Sequence, residues 1–275
     1  MEPVAAKSAR RPGQRAYLLI VLFALALVIL PFLFWYQTWF GRRLTAAEIE
    51  QCLNDPAKPR RSQHALVQIG ERMSRGDRSL ERWYPRIVAL ADNPSPELRQ
   101  TVAWIMGQDS RHSEFHRALR RLIEDSEPMV RRNAALALAN FRDESARAEL
   151  RAMLQPSTIV SPAAGAVKYR LKVDQFVNPG TLVARIGDAE VRAKLPGKVT
   201  ALLRPDGAQL AAGDPLVELS TDNEHAWEAL RALYLIGGRE ELEPVRRYAR
   251  GWPGMPERLQ EQANHTLRAI EARGQ

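Results

Sequence analysis

Two stretches of the chain read as copies of one another, and this repeat restricts the fold more than any other feature. NPSPELRQTVAWIMG (residues 93–107) aligns with DSEPMVRRNAALALA (125–139) at an offset of 32 residues. Pro96 falls on Pro128, Leu98 on Val130, Arg99 on Arg131, and Ala103 on Ala135. Each copy begins with Asn93 or Asp125, residue types that cap a helix by accepting its first free N–H groups. Proline follows in the first turn, where its missing donor is not needed. Between the copies, FHRALRRLIED (115–125) carries its own helical spacing and supplies a partner helix. A helix pair of this period cannot bury its apolar face alone, so copies stack into an α-solenoid. A degenerate earlier copy runs through KPRRSQHALVQIG (58–70). An irregular helical bundle is the alternative.

The repeat resembles HEAT repeats, and the resemblance implies protein binding along a helical surface. Helical character expected over 44–155 stops at Pro156. A β-like text fills 156–221, and helices return over 222–275 with HAWEALRALYLIGG (225–238) and PERLQEQANHTLRAIEAR (256–273). Gly237 and Gly238 read as a helix C-cap. The fold class expected is therefore multidomain α + β, an α-solenoid interrupted by a small β module.

That module is itself doubled. IVSPAAGAVKYRLKVDQFVNPGTLVARI (159–186) aligns with VRAKLPGKVTALLRPDGAQLAAGDPLVEL (191–219) at an offset of 32 to 33 residues. Gly165 matches Gly197, Val167 matches Val199, Asp174 matches Asp206, and Gly180 matches Gly213. Val167, Tyr169, Leu171 and Val173 alternate as a half-buried strand does. The doubled pattern resembles the biotinyl/lipoyl domain, a flattened β-barrel sandwich with quasi-two-fold symmetry. Carrier members present a modified lysine on the hairpin between the halves. Here Ile186 to Glu190 occupies that hairpin, with Gly187-Asp188-Ala189 at its tip and Lys194 and Lys198 beyond it. A biotin or lipoyl carrier is thus the less favoured implication, and no cofactor is expected. Membrane fusion proteins, the periplasmic adaptors of efflux pumps and secretion systems, use an unmodified version behind a membrane anchor. Their halves are usually separated by a long helical hairpin, whereas here the halves join directly.

An anchor is also expected from the sequence. Residues 17–36, YLLIVLFALALVILPFLFWY, hold no charge, and twenty such residues would span roughly 30 Å as a helix. Trp35, Tyr36, Trp39 and Phe40 would mark the headgroup interface. The expected order is a basic tail over 1–15, a transmembrane anchor over 16–40, then the solenoid. Lys7, Arg10, Arg11 and Arg15 in the tail oppose Arg42 and Arg43 on the other flank, a slight push towards an inside N-terminus. With the adaptor resemblance, this predicts a single-pass protein of the inner (cytoplasmic) membrane with a periplasmic or other extracytoplasmic bulk. The net charge of +8 comes from this tail and from basic residues mixed with acids along helices, so no nucleic-acid partner is expected.

Chemistry is sparse. The single cysteine, Cys52, excludes an intrachain disulfide and a thiolate metal cluster and reads as a core thiol of a helix. His112, Glu114 and His116 form H-x-E-x-H, which on a helix would set two imidazoles on one face. No third ligand accompanies them, and a solvated helix start explains them as well. No catalytic, cofactor or metal residue is therefore assigned. Tyr169, Arg170 and Phe176 in the first β half, with Asp188 and Glu190 at the tip, are the candidate partner-binding residues. Ordinary core or turn roles are their alternative. The function expected is a non-enzymatic envelope adaptor or scaffold, resembling a reduced membrane fusion protein, that binds a transporter or other membrane complex. An accessory subunit of a respiratory or other membrane enzyme is the alternative.

Overall fold

A computed structural model describes residues 14–39, 43–55 and 59–274. Of the expected basic tail over 1–15, residues 1–13 lie outside the described residues, as do Phe40, Arg42 and Lys58. The chain divides into two compact units, Met1–Ile49 and Glu50–Gln275.

The first unit holds α1 (Gln14–Trp39) and the start of α2 (Ala46–Leu53). Thr45 and Glu48 form a capping box there. The Glu48 N–H donates to Thr45 Oγ1 and the Thr45 N–H donates to Glu48 Oε2 at 2.8 Å, which satisfies two otherwise unpaired donors. The transmembrane anchor expected over 16–40 is not sustained. No helix among the described residues is long and apolar enough to cross a membrane. The inner-membrane localisation that rested on this anchor falls with it.

The second unit is mixed helix and sheet. Its helices are α3 (Pro59–Ser74), α4 (Tyr84–Ala89), α5 (Pro96–Met106), α6 (Ser113–Leu122), α7 (Pro128–Asn140), α8 (Arg147–Ala152), α9 (Asn223–Ile236), α10 (Leu242–Arg250) and α11 (Glu257–Arg273). α3, α5, α7, α9 and α11 pack in succession, and α4, α6, α8 and α10 accompany them. Phe115, Leu119, Ile105, Met106 and Leu138 are fully buried in this helical core.

The two copies recognised in the sequence fold alike, with one shift. Asn93 and Asp125 are not the N-caps. Each side chain instead accepts a backbone N–H two residues on, from Ser95 and Glu127, at 2.9 Å. These are local turns of the kind Asn and Asp favour, and the caps proper are Ser95 and Glu127. The aligned arginines reach back identically. Arg99 Nη1 donates to Asn93 O at 2.9 Å and Arg131 Nη1 to Asp125 O at 2.8 Å. Arg99 also clamps the Asp125 carboxylate at 2.6 and 2.9 Å, joining one copy to the next.

The strands are β1 (Ser157–Val160), β2 (Gly165–Tyr169), β3 (Phe176–Val177), β4 (Leu182–Ile186), β5 (Ala189–Arg192), β6 (Gly197–Leu202), β7 (Gln209–Leu210) and β8 (Pro215–Leu219). They form two four-stranded antiparallel sheets, ordered β1-β8-β6-β3 and β5-β4-β2-β7. Exchanging each strand for its counterpart four places along turns one order into the other, so the doubled sequence is a doubled topology. Val167, Val183, Val199, Leu216 and Leu219 belong to a common core.

Two details of the alignment change. β2 ends at Tyr169, so Val173 lies beyond the strand and is exposed. The structural counterpart of Asp174 is Gly207, not Asp206. Asp174 and Gly207 have φ of 72° and 81°, and their N–H groups donate to the matched carbonyls of Val199 and Val167. Only glycine takes that backbone freely. Asp174→Gly should therefore raise stability by roughly 0.5 kcal/mol, since the exposed ion pair it forfeits with Lys198 contributes little. A lower urea midpoint for the variant would contradict this.

The solenoid continues across the β insertion. Arg142 Nη1 donates to Leu235 O at 3.0 Å, and Tyr248 Oη donates to Leu154 O at 3.2 Å. Arg151 pairs with the fully buried Glu241 at 2.9 Å. Glu241 Oε2 in turn accepts the Gly238 N–H at 2.8 Å. Helices before residue 155 and after 222 are thus bonded directly to each other.

Candidate functional site

A recess crosses α5, α7, α9 and α11 and has a volume of about 640 Å³. Its position follows from the stacking of successive helices. Asn133 Nδ2 donates to Gln100 O and Asn140 Nδ2 to Gly107 O, both at 3.1 Å. These two bonds tie α7 to α5. The helices also approach closely here, since a side-chain carbon on Gly107 would lie 2.9 Å from Ala137 Cβ. Trp104 and Tyr234 line the recess and are 40% and 46% exposed. Glu228 and Arg231 bring one charge of each sign, and Arg231 lies 4.7 Å from the centroid of the Trp227 ring.

The histidine motif disperses. His112 packs edge-on to Tyr84, with ring centroids 4.9 Å apart, and against Phe115. His116 stacks on Phe141 and meets Asp143 Oδ2 at 2.6 Å. Among the described residues, no group of three or more His, Cys, Asp or Glu is arranged to hold a metal ion. Burial alone would raise the Asp143 pKa. Hydrogen bonds from Ser145 and His116 and the Arg120 charge outweigh it and hold the carboxyl down at about 2. Burial, with Asp109 beside it, pushes the Tyr84 phenol up to about 12. Cys52 is half-buried in α2.

The candidate residues of the β module do not converge on one site. Tyr169 is half-buried against the module core and donates its hydroxyl to Leu216 O at 3.1 Å; burial raises its pKa. Arg170 is exposed at the end of β2, where its N–H donates to Val183 O. Phe176 is 55% exposed on β3, in the opposite sheet. Asp188 is exposed at the turn between β4 and β5, where Ile186 pairs with Ala189. Glu190 is clamped by Arg185 at 2.8 Å and Arg192 at 2.7 Å, which hold its carboxyl below the usual range. Residue types alone do not reveal the α5–α11 recess. Its lining comes from helices on both sides of the β insertion, and only stacking unites them.

A family model described as HEAT repeats matches residues 84–166. That span takes in α4 to α8 and runs into β2. No curated protein matches the chain. HEAT repeats in general mediate protein–protein interaction, using the extended surface that stacked helices create.

Proposed function

We propose that this chain is a non-catalytic, protein-binding scaffold whose partner docks in the recess across α5, α7, α9 and α11. The observation that carries the reading is the recess itself, set in the helical array with two half-exposed aromatic rings and amide side chains in its lining. The neighbouring titratable groups support it. Asp125, Asp143 and Glu241 are engaged with arginines or His116 in holding repeats together.

The β module supports a finer part of the proposal. Its interchangeable sheets resemble the biotinyl/lipoyl fold. Its tip offers Gly187 and Asp188 where a carrier needs lysine. We read it as an unmodified docking module held in the helical frame.

A photo-crosslinking residue at Leu136, on the lining of the recess, tests the proposal in cells expressing the chain at native level. Adducts resolved by mass spectrometry should contain a defined protein partner. A transporter permease or ATPase would make the chain an assembly factor, and a catalytic complex would make it an accessory subunit. No adduct at Leu136 would overturn the reading.

A further inference from the structure

The amides of the recess share a polarity that says what kind of group it receives. Asn133 and Asn140 each donate from Nδ2 to a backbone carbonyl, and Gln108 donates from Nε2 to Trp104 O at 3.1 Å. A carbonyl oxygen only accepts, so the nitrogen of each amide must be the atom facing it. The opposite atom, Oδ1 or Oε1, meets no donor among the described residues. Glu228 adds an exposed carboxylate that makes no ion pair among the described residues. The one lining guanidinium, Arg231, is turned over the Trp227 ring. The lining thus sets three amide oxygens, the Glu228 carboxylate and the half-exposed Trp104 and Tyr234 beside Arg231, Gln262 and His265.

Resting on the scaffold reading, we propose that the recess recognises an arginine side chain carried by an extended segment of the partner. A guanidinium has five donors and no acceptor, which matches the amide oxygens of Gln108, Asn133 and Asn140 and the Glu228 carboxylate. Its plane stacks on aromatic rings, which a lysine ammonium does not do. Glu228 supplies the counter-charge, and the asparagine and glutamine oxygens take the remaining N–H groups.

The test uses the full chain and a displayed library of random linear peptides. Selected peptides should share an arginine. Glu228→Gln, a change at an exposed side chain, should weaken the best peptide roughly tenfold, as loss of one charge-assisted hydrogen bond does. Replacing the peptide arginine by glutamine should weaken binding to the native chain and have little further effect on the Glu228→Gln variant. Tyr234→Ala should also weaken the peptide. A shared sequence without arginine whose binding still depends on Tyr234 would overturn the arginine assignment and leave the scaffold reading standing. An arginine-bearing peptide indifferent to both variants would likewise overturn it. Absence of any selected peptide, together with no adduct at Leu136, would sink both.

Discussion

Asp125→Ala is expected to lower the unfolding free energy by about 3 kcal/mol, because it strands a half-buried arginine. The Arg99 and Asp125 side chains are only 14% and 8% exposed, and two hydrogen bonds join them. The substitution also removes the turn in which Asp125 accepts the Glu127 N–H at the start of α7. A loss of this size should lower the thermal midpoint by roughly 6–12 °C in a unit of this length. Arg99→Ala should cost less, since it leaves a carboxylate that can take a proton. The double variant should be less damaged than the sum of the two, as for residues that share one interaction. Strict additivity in that cycle would show that the clamp does not couple the copies.

The same pair sets a pH dependence. Hydrogen bonds from Arg99, the largest influence, hold the Asp125 carboxyl below its ordinary value of 3.8 despite the opposing effect of burial. A carboxyl depressed in the folded state binds protons more readily when unfolded. Its contribution is therefore complete above pH 3.8 and is lost as pH falls through the folded value. Asp143, held at about 2, acts in the same direction. Urea midpoints should fall in acid for the native chain and fall less for Asp125→Ala. Parallel acid limbs would remove Asp125 from this account.

How much of this could be read from residues depends on whether the signal is local. The 32-residue spacing of Pro96 and Pro128 is local, and so are the glycine turns of the β halves. The cap position is decided by hydrogen bonds over two residues. Asn93 and Asp125 are residue types that suit a cap, yet Ser95 and Glu127 hold that place. Asp174 and Asp206 align by letter. Backbone conformation instead pairs Asp174 with Gly207, because positive φ and not side-chain chemistry defines that turn. The recess has no local signal. Asn133 and Asn140 read as polar interruptions of a helix, and their purpose emerges when α5 offers carbonyls to them. Glu228 and Tyr234 lie beyond the whole β insertion. The anchor expectation rests on the absence of charge over 17–36, a property of composition, whereas no helix among the described residues is long and apolar enough to cross a membrane.

Gly197→Val should cost about 3 kcal/mol, as overpacking against a backbone that cannot retreat does. A side-chain carbon at Gly197 would lie 2.4 Å from Ser220 O and 3.1 Å from Leu219 Cβ. Retreat is blocked because the Ser220 N–H is bonded to Lys198 O at 2.8 Å and Gly197 pairs with Val177 on its other side. Its counterpart in the first half is Gly165. There the nearest contact is 3.2 Å, to the methyl end of Ile186, and the objection to a side chain is the φ of 147°. The halves differ in how the chain leaves them. After Ile186 it turns at once into β5, whereas after Leu219 it must leave the sheet through Ser220 and Thr221 and start α9 at Asp222. Asp222 caps α9 by accepting the Glu224 and His225 N–H groups. Gly197 thus sits where the β module is fastened to the solenoid. Hydrogen exchange should show β6 and β8 losing protection first, then the first turn of α9, with α5 and α6 unaffected. Loss confined to β6 and β8 would mean that the exit strand does not transmit strain to the helices. Unchanged protection in β6 and β8 would show that the close approach at Gly197 carries no energetic weight.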